Sequence, residues 1–348
     1  MEDLKSLDLN ELTSLVTELG EKRYRAKQIY RSLHKNMVDS IDDLKNLPKA
    51  FRERLKSNAY ISRFKIASKL ESKIDDTKKY LFELEDGHII ETVFMKYKHG
   101  NTVCISTQVG CKMGCSFCAS TKRGLVRNLT AGELLNQIYC IQKDLNERIS
   151  NIVLMGSGEP LDNYDNVKKF LEIINDEEGQ NISYRHITLS TCGLIEEIYE
   201  LADLGKPINL AISLHNPFNI ERKKIMPTAN KYSVKSIIEA CHYYAKKTGR
   251  RISFEYTLIS GENDSKKHAE ELARISSGFN CHVNLIPLNT VKEYDKVKSN
   301  LRAIKEFKRI LDSRGINSTI RRELGSDINA ACGQLRIDFM SEREKLAR

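Results

Sequence analysis

Apolar side chains in the first 57 residues recur at intervals of three and four, which predicts helices. One covers 9–19. The next places Ala26, Ile29, Tyr30, Leu33 and Met37 on one seam and Arg23, Lys27, Arg31 and Lys35 on a basic stripe, and a third follows Asn46-Leu47-Pro48. From Ile61 the spacing changes to alternation, and KYLFELEDGHIIETVFM reads as two strands joined at Asp86-Gly87. This shift predicts a helical domain over 1–57, a β-hairpin connector over 58–95 and a larger domain over 96–348.

Beyond residue 95, strand-like runs recur at 102–107, 151–155, 186–190, 208–214, 252–258, 281–286 and 316–321. Helical patterns fill the intervals. One starts at Thr130, with Glu133 placed for a capping box, and others cover 165–174, 194–204, 233–247, 265–276 and 300–314, the last stopping at Gly315. Alternating strands and helices predict an α/β fold of parallel βαβ units covered on both faces. A barrel, complete or partial, and an open doubly wound sheet both remain possible. Either puts the chemistry at the C-terminal ends of the strands.

A chain of 348 residues with 40% hydrophobic and 30% charged residues has an ordinary globular composition, and no apolar run is long enough to cross a membrane. The acidic start MEDLKSLDLNEL does not resemble a secretory signal, so a cytoplasmic location without a membrane partner is expected. A net charge of +9 permits a polyanionic partner, and the basic stripe suits phosphates, although a solvated charged face looks the same.

An odd count of nine cysteines argues against a secreted disulfide scaffold and for reduced thiols. Cys140, Cys192, Cys241 and Cys281 fall in predicted helices or strands and read as core residues. Cys111, Cys115 and Cys118 differ: in QVGCKMGCSFCAS they form a C-x-x-x-C-x-x-C loop that Gly110 and Gly114 let wrap around a ligand. Three thiolates can hold a [4Fe-4S] cluster with one iron left open, or contribute to a zinc site. One βα unit later, Met155-Gly156-Ser157-Gly158-Glu159-Pro160 ends a strand with exposed backbone and a carboxylate able to accept from an ammonium.

The cysteine spacing after a first strand resembles the radical S-adenosylmethionine superfamily. The resemblance narrows to the RlmN group through Glu91-Thr92-Val93, Cys104-Ile105-Ser106-Thr107-Gln108, Arg127-Asn128-Leu129-Thr130, Ser213-Leu214-His215, Arg250 to Tyr256, His282 to Pro287 and Ala331-Cys332-Gly333-Gln334-Leu335. Met95-Lys96-Tyr97-Lys98 is similar to the related Cfr-type enzymes that methylate adenosine C8, while Pro160 and Leu161 favour the C2 group. Ser157 stands where the family usually carries an apolar residue.

The resemblance implies a radical S-adenosylmethionine partial barrel that methylates C2 of adenosine in 23S rRNA and tRNA. Its cofactors would be a [4Fe-4S] cluster on Cys111, Cys115 and Cys118 and S-adenosylmethionine held by Gly158, Glu159, Ser190, Ser213, Leu214, His215 and Asn289. In the implied scheme one S-adenosylmethionine methylates Cys332, a deoxyadenosyl radical from a second takes hydrogen from that methyl, and the methylene radical adds to C2. Cys104 then releases the product by forming a transient disulfide with Cys332. Glu91, set between Ile90 and Val93, would accept the C2 proton from an apolar setting. A flavodoxin or ferredoxin would supply electrons, and Lys122, Arg123, Arg127, Arg321 and Arg322 would join the basic helix in holding RNA phosphates.

Overall fold

The computed structural model describes residues 1–289, 294–331 and 333–334. Its first helices are α1 (Leu9–Glu18), α2 (Tyr24–His34) and α3 (Lys49–Asn58). Asp8 caps α1 by accepting the Glu11 N–H at 2.8 Å, while the Glu11 carboxylate accepts from the Asp8 N–H at 2.9 Å. The expected seam of α2 is buried at Ala26, Ile29, Tyr30 and Leu33, but Met37 lies beyond the helix in a left-handed turn (φ 56°). Strand β1 (Glu2–Asp3) runs parallel to β2 (Ala59–Tyr60) and closes the unit. Fully buried Lys5 fastens it to the rest of the chain, its ammonium donating to Asn136 Oδ1 at 2.6 Å, Ser62 O at 3.0 Å and Asp39 at 3.1 Å.

Strands β3 (Lys65–Glu71), β4 (Lys78–Glu83), β5 (Ile89–Tyr97) and β6 (Gly100–Cys104) form an antiparallel meander whose β4–β5 turn contains Asp86-Gly87. Residue 95 therefore falls inside β5, which bonds directly to β6. The shift in hydrophobic pattern near that point marks a change from antiparallel to parallel pairing within one sheet.

Two short antiparallel strands, β7 (Gln108–Gly110) and β8 (Leu125–Asn128), bracket the cysteine loop. The remaining strands are β9 (Asn151–Leu154), β10 (Ile187–Thr191), β11 (Asn209–Ser213), β12 (Ile252–Leu258), β13 (Cys281–Pro287) and β14 (Ser318–Ile320). Between and around them run α4 (Ala131–Leu145), α5 (Tyr164–Asn175), α6 (Ile195–Asp203), α7 (Asn219–Ile225), α8 (Val234–Thr248), α9 (Lys266–Ile275) and α10 (Leu301–Ser313). The expected capping box opens α4, with Thr130 Oγ1 accepting the Glu133 N–H at 3.2 Å and the Glu133 carboxylate accepting the Thr130 N–H at 2.9 Å.

Strand order decides between the two architectures. The parallel strands lie β6-β9-β10-β11-β12-β13-β14, each added beyond the last with no reversal. A doubly wound sheet reverses at a switch point, whereas successive right-handed crossovers in one direction put the helices on one face and curl the sheet into a barrel. The barrel stays partial: β6 pairs with β5 instead of β14, so among the described residues ten strands form one open mixed sheet.

The outward side chains of these strands, such as Leu189, Leu210, Ile212, Phe254, Val283 and Leu285, are fully buried under the helices. Each contributes roughly 1.5–3 kcal/mol by leaving water. The inward positions differ, with Ser190, Ser213, Glu255, Thr257 and Asn284 in place of the bulky branched residues that would fill a barrel. Small and polar inward residues leave a cavity.

Candidate active site

That cavity encloses about 950 Å³ of non-atom space, its open mouth included. Cys111, Cys115 and Cys118 line it with Gly156, Gly158, Glu159, Ser190, Ser213, His215 and Asn289, so strand ends and cysteine loop meet at one place. The glycines are required by the neighbouring chain as much as by any ligand. A Cβ on Gly156 would stand 2.6 Å from Ile105 O, and one on Gly158 (φ +105°) 2.7 Å from the Gln108 backbone N. Ser157 between them is a tether: its N–H donates to Ser106 Oγ at 3.0 Å and its carbonyl accepts from Thr107 at 2.8 Å. Its hydroxyl donates to Gly110 O at 3.5 Å, a bond that an apolar side chain could not make.

The cysteine loop is held from four sides. Cys111 N–H donates to Gly124 O at 2.9 Å, Ser116 N–H to Ile225 O at 3.0 Å and Ala119 N–H to Gly333 O at 2.8 Å, while Thr121 Oγ1 bonds Cys118 O at 3.0 Å. Burial pushes the Cys111 thiol up to about 12 and holds the Cys115 thiol well above its usual range. Among the described residues, no three His, Cys, Asp or Glu side chains converge on one point as a single metal ion needs.

Glu159 is almost wholly buried, and its carboxylate accepts the Cys192 N–H at 2.8 Å and the Leu161 N–H at 3.1 Å. Desolvation raises its pKa against the pull of these donors. His215, in a left-handed conformation (φ 55°), accepts the Thr257 N–H on Nδ1 at 3.0 Å. Its neutral ring carries its proton on Nε2, and burial, reinforced by Arg222, lowers its pKa to about 3. Leu214 differs from the expectation for it: its side chain is fully buried and does not line the cavity, because Ser213 and His215 take the inward positions on either side.

Glu91 and Cys104 lie away from this cavity wall, on the adjoining β5 and β6. Lys79, Val93, Cys104 and Val153 are successive cross-strand partners, and Glu91 shares their face two residues before Val93. Cys104 is buried with Val93 and Met95, and Met155, Leu324 and Ala330 pack against the group. The apolar setting expected for Glu91 is replaced by a buried ion pair with Lys79 at 2.9 Å. Pattern could not show this, since Lys79 is 12 positions away in sequence and reaches Glu91 only through the hairpin register. Cys332 lies outside the described residues.

The structure adds Cys192, Glu255 and Arg321 to the cavity lining. Cys192 reads as a core residue in the sequence but sits just past β10, where its backbone anchors Glu159. Glu255 accepts from Asn284 Nδ2 at 2.8 Å and faces Arg321 at 3.4 Å, so Arg321 is turned to the cavity. Arg127 is likewise committed, to Glu133 at 2.8 Å and Asp86 at 2.6 Å, and Lys27 and Arg31 pair with Glu178 at 2.9 and 3.1 Å. Lys122, Arg123, Arg322, Arg23 and Lys35 are exposed.

The residues around the cavity fit a cysteine-bound cluster. One further side chain agrees: the fully buried Arg222 has an Nη1 with no hydrogen-bond partner, the mark of a cation awaiting an anion. No helix among the described residues is long and apolar enough to cross a membrane.

Comparison with known proteins agrees with this geometry. Residues 105–273 match the model of the radical SAM superfamily, and residues 2–61 that of the ribosomal RNA large subunit methyltransferase N-terminal domain. A "Probable dual-specificity RNA methyltransferase RlmN" of Clostridium novyi (strain NT) is 54% identical over 340 residues, covering 98% of this chain and 99% of that one. One of the same description from Lachnospira eligens is 52% identical over 342 residues, covering 98% of each. The crystal structure of a radical SAM methyltransferase from Sphaerobacter thermophilus superposes with a TM-score of 0.92 at 41% identity, covering 97% of this chain and 100% of that one.

Proposed function

The chain belongs to the RlmN family of radical S-adenosylmethionine methyltransferases, and from that premise we propose that it methylates C2 of adenosine in 23S rRNA and tRNA. The observation that carries the proposal is the meeting of the three cysteines with Gly158, Glu159, Ser190, Ser213, His215 and Asn289 around one cavity. The [4Fe-4S] cluster, when bound, supplies the electron that makes a radical from S-adenosylmethionine. C2 of adenine is electron-poor and does not attack a sulfonium, so the methyl has to travel on a protein group first.

Cys332 is that carrier, Cys104 the thiol that releases the product, and Glu91 the acceptor of the C2 proton. Support comes from the residues around them. Ala330 packs on the Cys104 group, Gly333 lines the cavity, and Lys79, paired with Glu91, also donates to Asn329 O at 3.2 Å. The described neighbours Asn329, Ala330 and Gly333 thus reach the Lys79–Glu91 pair, the Cys104 group and the cavity. Glu159 and Asn289 offer acceptors to the amino group of S-adenosylmethionine, and the neutral His215 adds no charge beside the sulfonium.

The exposed cations Arg23, Lys35, Lys122, Arg123 and Arg322 hold phosphates by charge, and an external one-electron donor reduces the cluster. The test is anaerobic reconstitution with methyl-labelled S-adenosylmethionine and RNA. Wild-type protein is expected to label itself and then the RNA, and Cys332→Ala to label neither. Full RNA methylation by Cys332→Ala would rule out the carrier.

A further inference from the structure

Arg222 lies on α7 and takes no part in the chemistry proposed above, yet it is one of the largest fully buried side chains in the molecule. Its guanidinium donates to backbone oxygens alone: Nε to Leu214 at 2.9 Å, and Nη2 to Cys192 at 2.8 Å and Ser213 at 3.2 Å. Nη1 is buried with no partner. Among the described residues, no carboxylate is a partner of this guanidinium, whose hydrogen bonds all end on backbone carbonyls. A buried cation without a counter-charge is strongly unfavourable, and carbonyl dipoles offset only part of that cost.

The surroundings indicate what the charge awaits. Helix α7 backs the cysteine loop directly, since Ile225 O accepts the Ser116 N–H at 3.0 Å and a Cβ on Gly114 would stand 3.1 Å from Pro227 Cγ. Arg222 itself bonds the backbone of Ser213 and Cys192, which line the cavity, and of Leu214, next to the lining residue His215.

We propose that Arg222 is the buried counter-cation of the iron–sulfur cluster, a positioning residue that stabilises cluster binding and favours the reduced state. The inference rests on the assignment of the cluster to Cys111, Cys115 and Cys118. Three thiolates outweigh the positive charge of the oxidised iron–sulfide core, so the bound assembly is an anion. One electron from the external donor makes it more negative, with no bond formed or broken. Cluster potentials follow charge, hydrogen bonding and exposure, and a cation held in a low-dielectric wall acts strongly through the first of these. The alternative is a purely structural tie, in which Arg222 satisfies carbonyls at the ends of β10 and β11 and the cluster does not feel it.

The test compares wild-type protein, Arg222→Lys and Arg222→Gln after anaerobic reconstitution, without S-adenosylmethionine. Iron and sulfide per chain are measured, and the midpoint potential is taken by redox titration followed by electron paramagnetic resonance. Arg222→Gln is expected to have a more negative potential and to lose iron to a chelator several-fold faster, with Arg222→Lys between it and wild type. Arg222→Gln with a full cluster at the wild-type potential would overturn the proposal.

Should Arg222→Gln not fold, wild-type protein carrying nitrogen-labelled arginine gives a second reading. The slowly exchanging guanidinium signal is expected to shift and broaden between the cluster-free and cluster-loaded forms, and an unchanged signal would overturn the proposal. Wild-type protein that takes up no iron or sulfide would overturn the cluster assignment and this inference together.

Discussion

The ammonium of Lys79 stands 2.9 Å from the carboxylate of Glu91, and both side chains are almost completely buried. Removing one partner of such a pair strands the other charge, which costs about 3–5 kcal/mol, while an apolar pair of similar volume is tolerated. Lys79→Met and Glu91→Leu are each expected to lower stability by about that amount, and the double variant to regain most of it. If Glu91 takes the C2 proton, the double variant still fails to turn over. Chemical denaturation and RNA methylation rates together check this, and a stable, active double variant would remove Glu91 from the chemistry.

A second prediction concerns Gln137, a fully buried residue of α4. Its Oε1 accepts from the Ser106 N–H at 2.8 Å and Thr92 Oγ1 at 2.7 Å, and its Nε2 donates to Ser106 O at 2.8 Å. Ser106 in turn bonds Glu91 O at 2.6 Å and receives the Ser157 N–H. One amide therefore fixes the ends of β6 and β9 against β5. Gln137→Leu leaves several of these groups unsatisfied, at about 1–3 kcal/mol each, and is expected to reduce both melting temperature and cluster retention. A variant melting within a degree or so of wild type would show that the network relaxes freely.

The pH dependence of stability follows from His34 and His215, each lowered from 6.5 to about 3 with burial as the main cause. Between those values the unfolded chain binds more protons than the folded one, so stability is full above pH 6.5 and is lost as pH falls toward 3. The slope is ~1.4 kcal/mol per pH unit per histidine. His34 bonds Tyr139 Oη at 3.0 Å through Nδ1 and is remote from the cavity lining. His34→Gln is expected to flatten the acid limb by one histidine's share, as read from denaturation midpoints between pH 4.5 and 6.5.

Glu178 neutralises the basic stripe at Lys27 and Arg31. An exposed pair of this kind contributes little to stability, so Glu178→Gln is expected to leave the melting temperature nearly unchanged. If the stripe contacts RNA, the freed cations tighten binding roughly 2–5-fold at low salt and steepen its salt dependence. Unchanged RNA affinity in a salt titration would mean that the stripe serves only to dock the helical unit.

Much of the fold was legible because its causes are local. The seam of α2, the Thr130 cap and the Asp86-Gly87 turn each depend on residues a few positions apart. Barrel and doubly wound sheet share that local pattern, and only strand order separates them. The site was legible where residues end or follow strands in sequence, as Ser190 does in β10 and Gly158 and Glu159 do after β9. It was not legible where partners meet across the sheet or through a helix. Lys79 reaches Glu91 by register, Cys192 becomes a wall residue only because Glu159 captures its backbone, and Arg222 sits in a short charged stretch, ERKK, that looks solvent-exposed. Ser157, an oddity in the sequence, turns its hydroxyl to Gly110 O, a carbonyl 47 positions away.

Methylation at C2 of adenosine is open to direct measurement by mass spectrometry of nucleosides. RNA would be incubated with reconstituted protein, S-adenosylmethionine and a reductant, digested, and compared with authentic methyladenosines. The C2 assignment predicts 2-methyladenosine that depends on Cys111, Cys115, Cys118 and Cys332. 8-Methyladenosine, or no methylated adenosine from protein with a full cluster, would contradict it.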